Sequence, residues 1–206
     1  MILTVANLKG GTGKTTSVAF FAHALAERGH RVLVIDADPQ ASITRWADMA
    51  SWPLVVRGMA TARLHTDVGV VADLDRFDAI VIDTPPSDKH SGIVESAIRA
   101  ATHVIVPMAP TTAEFERIGA VRSLVQDAGE LSRHARPPAA AVLLTRTVPG
   151  ASSTGVFRDE LRASGWHVLR PVVGRLERYA QAFGAAIERA SASAYGDALD
   201  EIAVPA

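Results

Sequence analysis

The sequence contains no cysteine, which excludes disulfide bonds, thiolate metal sites and an iron–sulfur cluster held by this chain. It contains no run of about 18 apolar residues, so we expect no membrane-spanning helix. No positively charged leader precedes the first apolar segment, which favours a cytoplasmic protein over a secreted one. The net charge is only −1, so any binding to nucleic acid must come from a local patch.

The remaining composition is typical of a soluble α/β protein. The chain has 206 residues, of which 48% are hydrophobic and 21% are charged, and this is enough to bury a large core. We see no internal repeat and no domain boundary. The sequence therefore predicts a single domain that covers residues 1–206.

A glycine-rich stretch follows the first apolar segment, Ile2 to Ala6, and precedes a helical pattern from Ser17 to Arg28. It reads Lys9-Gly10-Gly11-Thr12-Gly13-Lys14-Thr15-Thr16. Strand, glycine loop and helix in this order are the context of a phosphate-binding loop, in which backbone N–H groups point at phosphate oxygens. We expect Lys14 to reach the β- and γ-phosphates of a nucleotide and Thr15 to coordinate Mg²⁺. The alternative is a glycine-rich turn that merely contains lysines, and the register of Gly-Lys-Thr disfavours it.

Two further apolar segments end in aspartate. Arg31 to Ile35 leads into Asp36-Ala37-Asp38-Pro39-Gln40, and Asp78 to Ile82 leads into Asp83. The carboxyl ends of parallel strands are where open α/β sheets bind ligands, and an aspartate there suits Mg²⁺. For the first segment, an Asx turn or a cap on a helix from Ala41 to Met49 is an equally good interpretation.

Lys9 makes the loop unusual. The general pattern G-x-x-x-x-G-K-[ST] has glycine where this chain has Leu8, and a second lysine follows at position 9. The loop resembles the deviant Walker A motif, K-G-G-x-G-K-[ST]-T, of the ParA/MinD family of dimeric ATPases. It is most similar to small ParA-type plasmid and chromosome partition ATPases that lack an N-terminal helix-turn-helix domain. D-x-D-P-Q resembles switch I of the same family, and Thr84-Pro85-Pro86-Ser87 resembles switch II.

The resemblance implies a fold, cofactors and roles for individual residues. The fold is a mostly parallel twisted sheet flanked by helices on both faces, and the cofactors are ATP and Mg²⁺. The implied catalytic residues are Lys9, Lys14 and Asp38. The implied metal site uses Thr15, Asp36 and Asp83. The implied nucleotide contacts are Lys9, Gly10, Gly11, Thr12, Gly13, Lys14, Thr15 and Thr16 for the phosphates, and Thr145, Arg146 and Pro171 for the adenine.

The implied function is ATP-dependent partition of plasmid or chromosomal DNA. A sandwich dimer would form on ATP, with Lys9 reaching the partner's nucleotide, and would bind nucleoid DNA without sequence preference. A centromere-binding adaptor would stimulate slow hydrolysis. No membrane partner is expected, because the tail from Asp197 to Val204 is acidic. The alternatives are the same ATPase positioning a protein cargo, or an ATP-dependent synthetase of the dethiobiotin-synthetase kind, which would typically lack Lys9 and D-x-D-P-Q.

The stretch from Leu131 to Arg178 is rich in arginine, with eight arginines against three acidic residues. Arginine suits phosphate because its planar fork donates hydrogen bonds in pairs. Any one of these residues could equally be a solvated charge. The candidate DNA contacts are Arg158, Arg162, Arg170, Arg175 and Arg178.

The remaining elements follow from hydrophobic periodicity. We expect Trp46 and Trp52 to pack in the core rather than to stack on bases. The predicted strands are Trp52–Val56, His103–Pro107, Ala139–Leu144 and Trp166–Leu169, and the predicted helices are Asp67–Leu74, Ala113–Ala128 and Phe157–Ala163.

Overall fold

The computed structural model describes residues 1–71, 76–131 and 137–203, and within them seven parallel strands form one sheet. The strands are β1 (Ile2–Val5), β2 (Val32–Asp36), β3 (Val55–Gly58), β4 (Ala79–Asp83), β5 (His103–Met108), β6 (Ala139–Thr147) and β7 (His167–Gly174). Their order across the sheet is β3-β2-β4-β1-β5-β6-β7.

Helices lie between the strands. They are α1 (Lys14–Glu27), α2 (Ser42–Met49), α3 (Leu64–Val71), α4 (Ser87–Ala100), α5 (Thr112–Phe115), α6 (Ile118–Glu130), α7 (Ser153–Ala163), α8 (Glu177–Ala180) and α9 (Ala194–Ala203). Among the described residues, no helix is long and apolar enough to cross a membrane.

Helices cover both faces of the sheet because alternate strand residues point to opposite sides. Val34 in β2 packs with α1, α2 and α9, whereas its neighbours Leu33 and Ile35 pack with α3 and α4. On the same side as α4, α6 and α7 cover β5 and β6. The strands are buried on both faces and therefore read as continuous apolar runs. The predicted fold class is confirmed, and the division into a single domain stays a prediction.

Several predicted boundaries move. Helix α1 begins at Lys14, three residues before the predicted start, because the last glycine of the loop caps it directly. Strand β3 begins at Val55 rather than Trp52. Helix α3 begins at Leu64, and the predicted end at Leu74 lies outside the described residues. Helix α7 begins four residues before Phe157. Helix α4 was not predicted.

The predicted single helix Ala113–Ala128 is wrong. The chain forms the one-turn helix α5 and then α6, with a break at Glu116 and Arg117. The apolar spacing runs through the break without interruption, so the sequence pattern carries no sign of it.

Strand β7 continues through Pro171 instead of ending at Leu169. Its register against β6 shifts between Val142 and Leu144, opposite the region of the proline. Proline has no N–H to donate, and it is accommodated here because β7 is an edge strand with a bulge.

Both tryptophans pack internally, as predicted. Trp46 is 1% exposed, and its indole N–H donates to the carbonyl oxygen of Ala185 at 2.9 Å. The ring of Trp52 lies 5.5 Å from that of Trp46 and 4.6 Å from that of His23.

Candidate functional site

The glycine loop connects β1 to α1 and has the backbone that a phosphate cradle requires. Gly11 and Gly13 have φ values of +72° and +88°, a region that favours glycine. Gly13 caps α1, so the positive end of the helix faces the loop. The Lys14 ammonium is buried and donates to the carbonyl oxygen of Lys9 at 2.9 Å, folding across the loop.

Two carboxylates meet the loop at the carboxyl edge of the sheet. Asp36 in β2 and Asp83 in β4 are register partners, and Asp83 is also paired with Val5 in β1. The order of the strands therefore brings both predicted metal ligands beside the start of the loop. Both residues are buried.

Thr15 and Asp83 form the predicted centre of the metal site. The Thr15 hydroxyl donates to Asp83 Oδ2 at 2.8 Å, while buried Oδ1 of Asp83 has no hydrogen-bond partner among the described residues. Burial raises the pKa of Asp83 to about 7, and the nearby carboxylate of Asp36 adds to the effect. An orphaned carboxylate oxygen beside a hydroxyl fits Mg²⁺, which prefers oxygen ligands and uses few from the protein.

Asp36 is held by neighbouring residues. Its Oδ2 accepts hydrogen bonds from the N–H and the hydroxyl of Thr44, at 3.0 and 2.7 Å, and its Oδ1 accepts one from the N–H of Asp38 at 3.2 Å. Thr44 lies in the first turn of α2, so this helix and the predicted switch I segment are tied to the metal side of the site.

Asp38 lies at the mouth of the site. Its Oδ1 accepts a hydrogen bond from the N–H of Gln40 at 2.9 Å, which is an Asx turn, and its carbonyl oxygen accepts one from the N–H of Ala41. Ala41 caps α2 with a φ of +51°. The side chain nevertheless lines the cavity described next, so the turn and a catalytic role are compatible.

A cavity of ≈ 570 Å³ opens above the loop. On the far side, the ends of β6 and β7 and the segment after β7 form its wall. The buried hydroxyl of Thr145 in this wall has no hydrogen-bond partner among the described residues. Predicted site residues on the cavity lining are Gly10, Gly11, Gly13, Lys14, Thr15, Thr16, Asp38, Thr145, Arg146 and Arg175, the last of which was predicted as a DNA contact.

Pro171 is not among the described residues that line the cavity. It lies in the middle of β7, and the residues Val173 to Leu176 beyond it form that wall. Tyr179 and Tyr195 contribute aromatic rings to the same wall. Their contribution could not be read from a motif, because α8 and α9 reach the cavity only through the packing of the chain.

Glu114 is a site residue that the sequence analysis missed. It is 6% exposed, and its Oε2 accepts a hydrogen bond from the N–H of Ala109 at 2.7 Å. Its Oε1 forms ion pairs with Arg146 and, at 3.9 Å, with Lys9. A glutamate inside a helical pattern gives no sign of this role, because its contacts with Lys9 and Arg146 join segments that are distant in the sequence.

The candidate DNA contacts differ in their surroundings. Arg158 donates to the carbonyl oxygens of Leu169 and Arg170, and Arg170 pairs with Glu201 of α9 at 3.2 Å. Arg178 stacks over the rings of Phe20 and Tyr179. Arg162 and Arg175 are exposed, as are Arg170 and Arg178, and Arg175 lies in the wall of the cavity. All five remain predictions.

The loop between β1 and α1, the cavity above it and the carboxylates on adjacent strands define a nucleotide-binding α/β protein of the P-loop class. Comparison with known proteins gives the family. The family model for the CobQ/CobB/MinD/ParA nucleotide binding domain matches residues 3–187. The chain belongs to this family, and the predicted resemblance to ParA/MinD proteins is confirmed.

Named relatives and solved structures agree with this assignment. The chain is 29% identical to "Maintenance of carboxysome distribution protein A" of Halothiobacillus neapolitanus over 97% of its own length and 92% of that protein. It is 30% identical to "Protein ParA" of Rhizobium radiobacter, over 88% and 82% of the two chains. Apo McdA from Cyanthece has the same fold, with a TM-score of 0.76 at 20% identity over 98% of both chains.

A metabolic enzyme also shares the fold. Cobyrinic acid a,c-diamide synthase from Mycobacterium smegmatis, solved with an ATP analogue and magnesium, has a TM-score of 0.71 at 24% identity over 89% of this chain and 90% of that one. Its ligands are those that the sequence predicts for this chain.

Proposed function

We propose that the chain is a ParA-type ATPase that binds ATP and Mg²⁺, forms a dimer on ATP and hydrolyses the nucleotide slowly. One observation carries this proposal: the P-loop and Asp38 of the D-x-D-P-Q segment line one cavity, and Thr15 in that lining is hydrogen-bonded to the strand-end carboxylate Asp83. The family assignment supports the nucleotide, and the magnesium and ATP analogue of the solved neighbour support the cofactors.

The residues of the loop would hold the phosphates. Backbone N–H groups from Gly10 to Thr16 would donate to phosphate oxygens, and the ammonium of Lys14, which donates to the carbonyl oxygen of Lys9 in this structure, would donate to the phosphates instead. Thr15 and Asp83 would hold the magnesium ion, with Asp36 supporting its shell. The ion neutralises charge on the phosphates during transfer.

Asp38 would orient the attacking water. Its carboxylate lies at the cavity and is fixed by the N–H of Gln40, so one oxygen is positioned while the other can accept a hydrogen bond from water. Little covalent chemistry is needed for phosphoryl transfer, and positioning with charge neutralisation is sufficient. Slow turnover fits an ATPase that waits for a stimulating partner.

Lys9 supports the dimer. Its side chain is 41% exposed at the edge of the site, unlike the buried Lys14. The side chain of a lysine in this position can extend across the dimer interface and contact the phosphates of the nucleotide bound by the second subunit, as the family resemblance implies.

For the cargo, we propose DNA. The relative named "Protein ParA" supports it, and the exposed Arg162, which lies away from the cavity lining, is the candidate best suited to contact DNA phosphate. Dimerisation would double the number of arginines available to DNA. For each phosphate that they neutralise, the logarithm of the DNA affinity falls by about 0.9 more per log unit of salt concentration. A centromere-binding adaptor would then link the nucleoid-associated dimer to a plasmid or chromosome.

A protein cargo is the second candidate, and the relative named for carboxysome distribution, which matches 97% of this chain, favours it. A synthetase role is supported by the fold of the diamide synthase alone. Lys9 and the D-x-D-P-Q segment disfavour that role, because a synthetase of this kind would typically lack both.

The test measures binding to random-sequence duplex DNA with ATP, with ADP and without nucleotide, across a salt series. We expect salt-sensitive binding with ATP alone, and loss of that binding in Lys9→Ala. Absence of DNA binding in every state would refute the DNA cargo. ATP hydrolysis without any nucleotide-dependent dimer would favour the synthetase.

A further inference from the structure

The carboxyl-terminal part of β5 is attached to the start of the glycine loop. Asn7 donates through Nδ2 to the carbonyl oxygen of Pro107 at 2.8 Å and accepts through Oδ1 from the N–H of Lys9 at 3.1 Å. These contacts place α5 beside the loop and bring Glu114 to Lys9.

The carboxylate of Glu114 is compensated from three directions. Arg146 and the N–H of Ala109 are close contacts, whereas Lys9 is the long one, at 3.9 Å. A buried carboxylate needs partners, and the first two would still satisfy it if Lys9 left. The contact with Lys9 can therefore break while the buried carboxylate of Glu114 stays paired.

We propose that Glu114 is a positioning residue that retains Lys9 in its own subunit until the ATP-bound dimer forms. This inference rests on the proposed function, in which Lys9 moves to the nucleotide of a second subunit. Breaking two Lys9–Glu114 contacts, one in each subunit, opposes association. Arg146, which lines the cavity, stays on Glu114 and keeps the carboxylate paired.

The test is Glu114→Gln, which keeps an acceptor for the N–H of Ala109 and removes the charge. The matched control is Glu116→Gln, because Glu116 is an exposed glutamate two residues further along. With a saturating non-hydrolysable ATP analogue, we expect Glu114→Gln to dimerise at about three- to tenfold lower protein concentration, since partly exposed ion pairs are weak. Glu116→Gln should match the wild type. A purely structural role for Glu114 predicts the opposite, weaker dimerisation.

A second readout needs no dimer. The chain has three lysines, Lys9, Lys14 and Lys89, so lysine labelled with ¹³C at Cε gives three NMR signals. In the nucleotide-free chain, Glu114→Gln should shift the Lys9 signal, and Glu116→Gln should not. If Glu114→Gln does not fold, Glu114→Asp withdraws the carboxylate from Lys9 and should give the same two changes.

The outcomes separate the two proposals. If the Lys9 signal does not shift in Glu114→Gln, the role of Glu114 alone is overturned. The same holds if the wild type dimerises with ATP and Glu114→Gln dimerises equally well or more weakly. A wild type that does not dimerise with ATP overturns the proposed function, and the role of Glu114 with it.

Discussion

The ionisation of Asp83 should make the nucleotide-free protein less stable as the pH rises. Its pKa is about 7 in the folded chain, against 3.8 for an ordinary aspartate, and the main cause is burial. Between those two values the folded state holds a proton that the unfolded state has lost. Ionisation therefore favours unfolding, and the free energy of unfolding should fall as the pH rises from about 4 to about 7.

The size of the effect follows from the shift. About three pKa units at 1.36 kcal/mol each give a ceiling of about 4 kcal/mol, reached above pH 7. Asp83→Asn removes the titrating group while its amide oxygen can still accept the hydroxyl of Thr15. The variant should be as stable as the wild type or less so near pH 4, and more stable by up to this amount near pH 8.

Urea unfolding at a series of pH values, with EDTA and without nucleotide, measures the effect. The difference between wild type and Asp83→Asn removes the contributions of other carboxyl groups, such as Asp78, whose pKa is lowered by Arg31. Asp127→Asn on the exposed side of α6 controls for the loss of one charge. A difference between wild type and Asp83→Asn that does not change between pH 4 and pH 7 would refute the assignment of the raised pKa to Asp83.

Three further variants probe the site. Lys14→Ala should weaken ATP binding at least about tenfold in a fluorescent-nucleotide titration, because the buried ammonium of Lys14 would contact the phosphates. Normal affinity would contradict the P-loop assignment. Asp38→Ala should retain ATP binding and dimerisation but lose about a hundredfold or more in phosphate release, and a wild-type rate would remove Asp38 from catalysis. Thr44→Val should weaken magnesium-dependent ATP binding about tenfold, because it removes a hydrogen bond to Asp36, and Thr44→Ser should retain the affinity of the wild type. Equal ATP affinities in the wild type, Thr44→Val and Thr44→Ser would show that Thr44 does not act through the metal.

The sequence predicted the parts of the site that local backbone chemistry determines. Glycines at positions 11 and 13 are needed for positive φ, and an aspartate at the end of an apolar strand is needed at Asp83, so both leave a pattern in the sequence. The fold class was implied by the resemblance of these motifs to the ParA/MinD family.

Features that depend on packing between distant segments could not be predicted. Glu114 reaches the loop because α5 packs beside it, and Tyr195 reaches the cavity because α9 packs on α1. The bulge in β7 near Pro171 depends on pairing with β6. None of these contacts is encoded in the spacing of nearby residues.

The register pairing of Asp36 with Asp83 lets the sheet itself fix the spacing of two carboxylates at its carboxyl edge. Backbone hydrogen bonds between adjacent strands fix the separation of the two main chains at about 4.8 Å, whatever the loops around them do. Each carboxylate is carried on the shortest acidic side chain, so the gap between them has little slack. Loops elsewhere on this edge can therefore vary in length without altering the spacing of these two carboxylates.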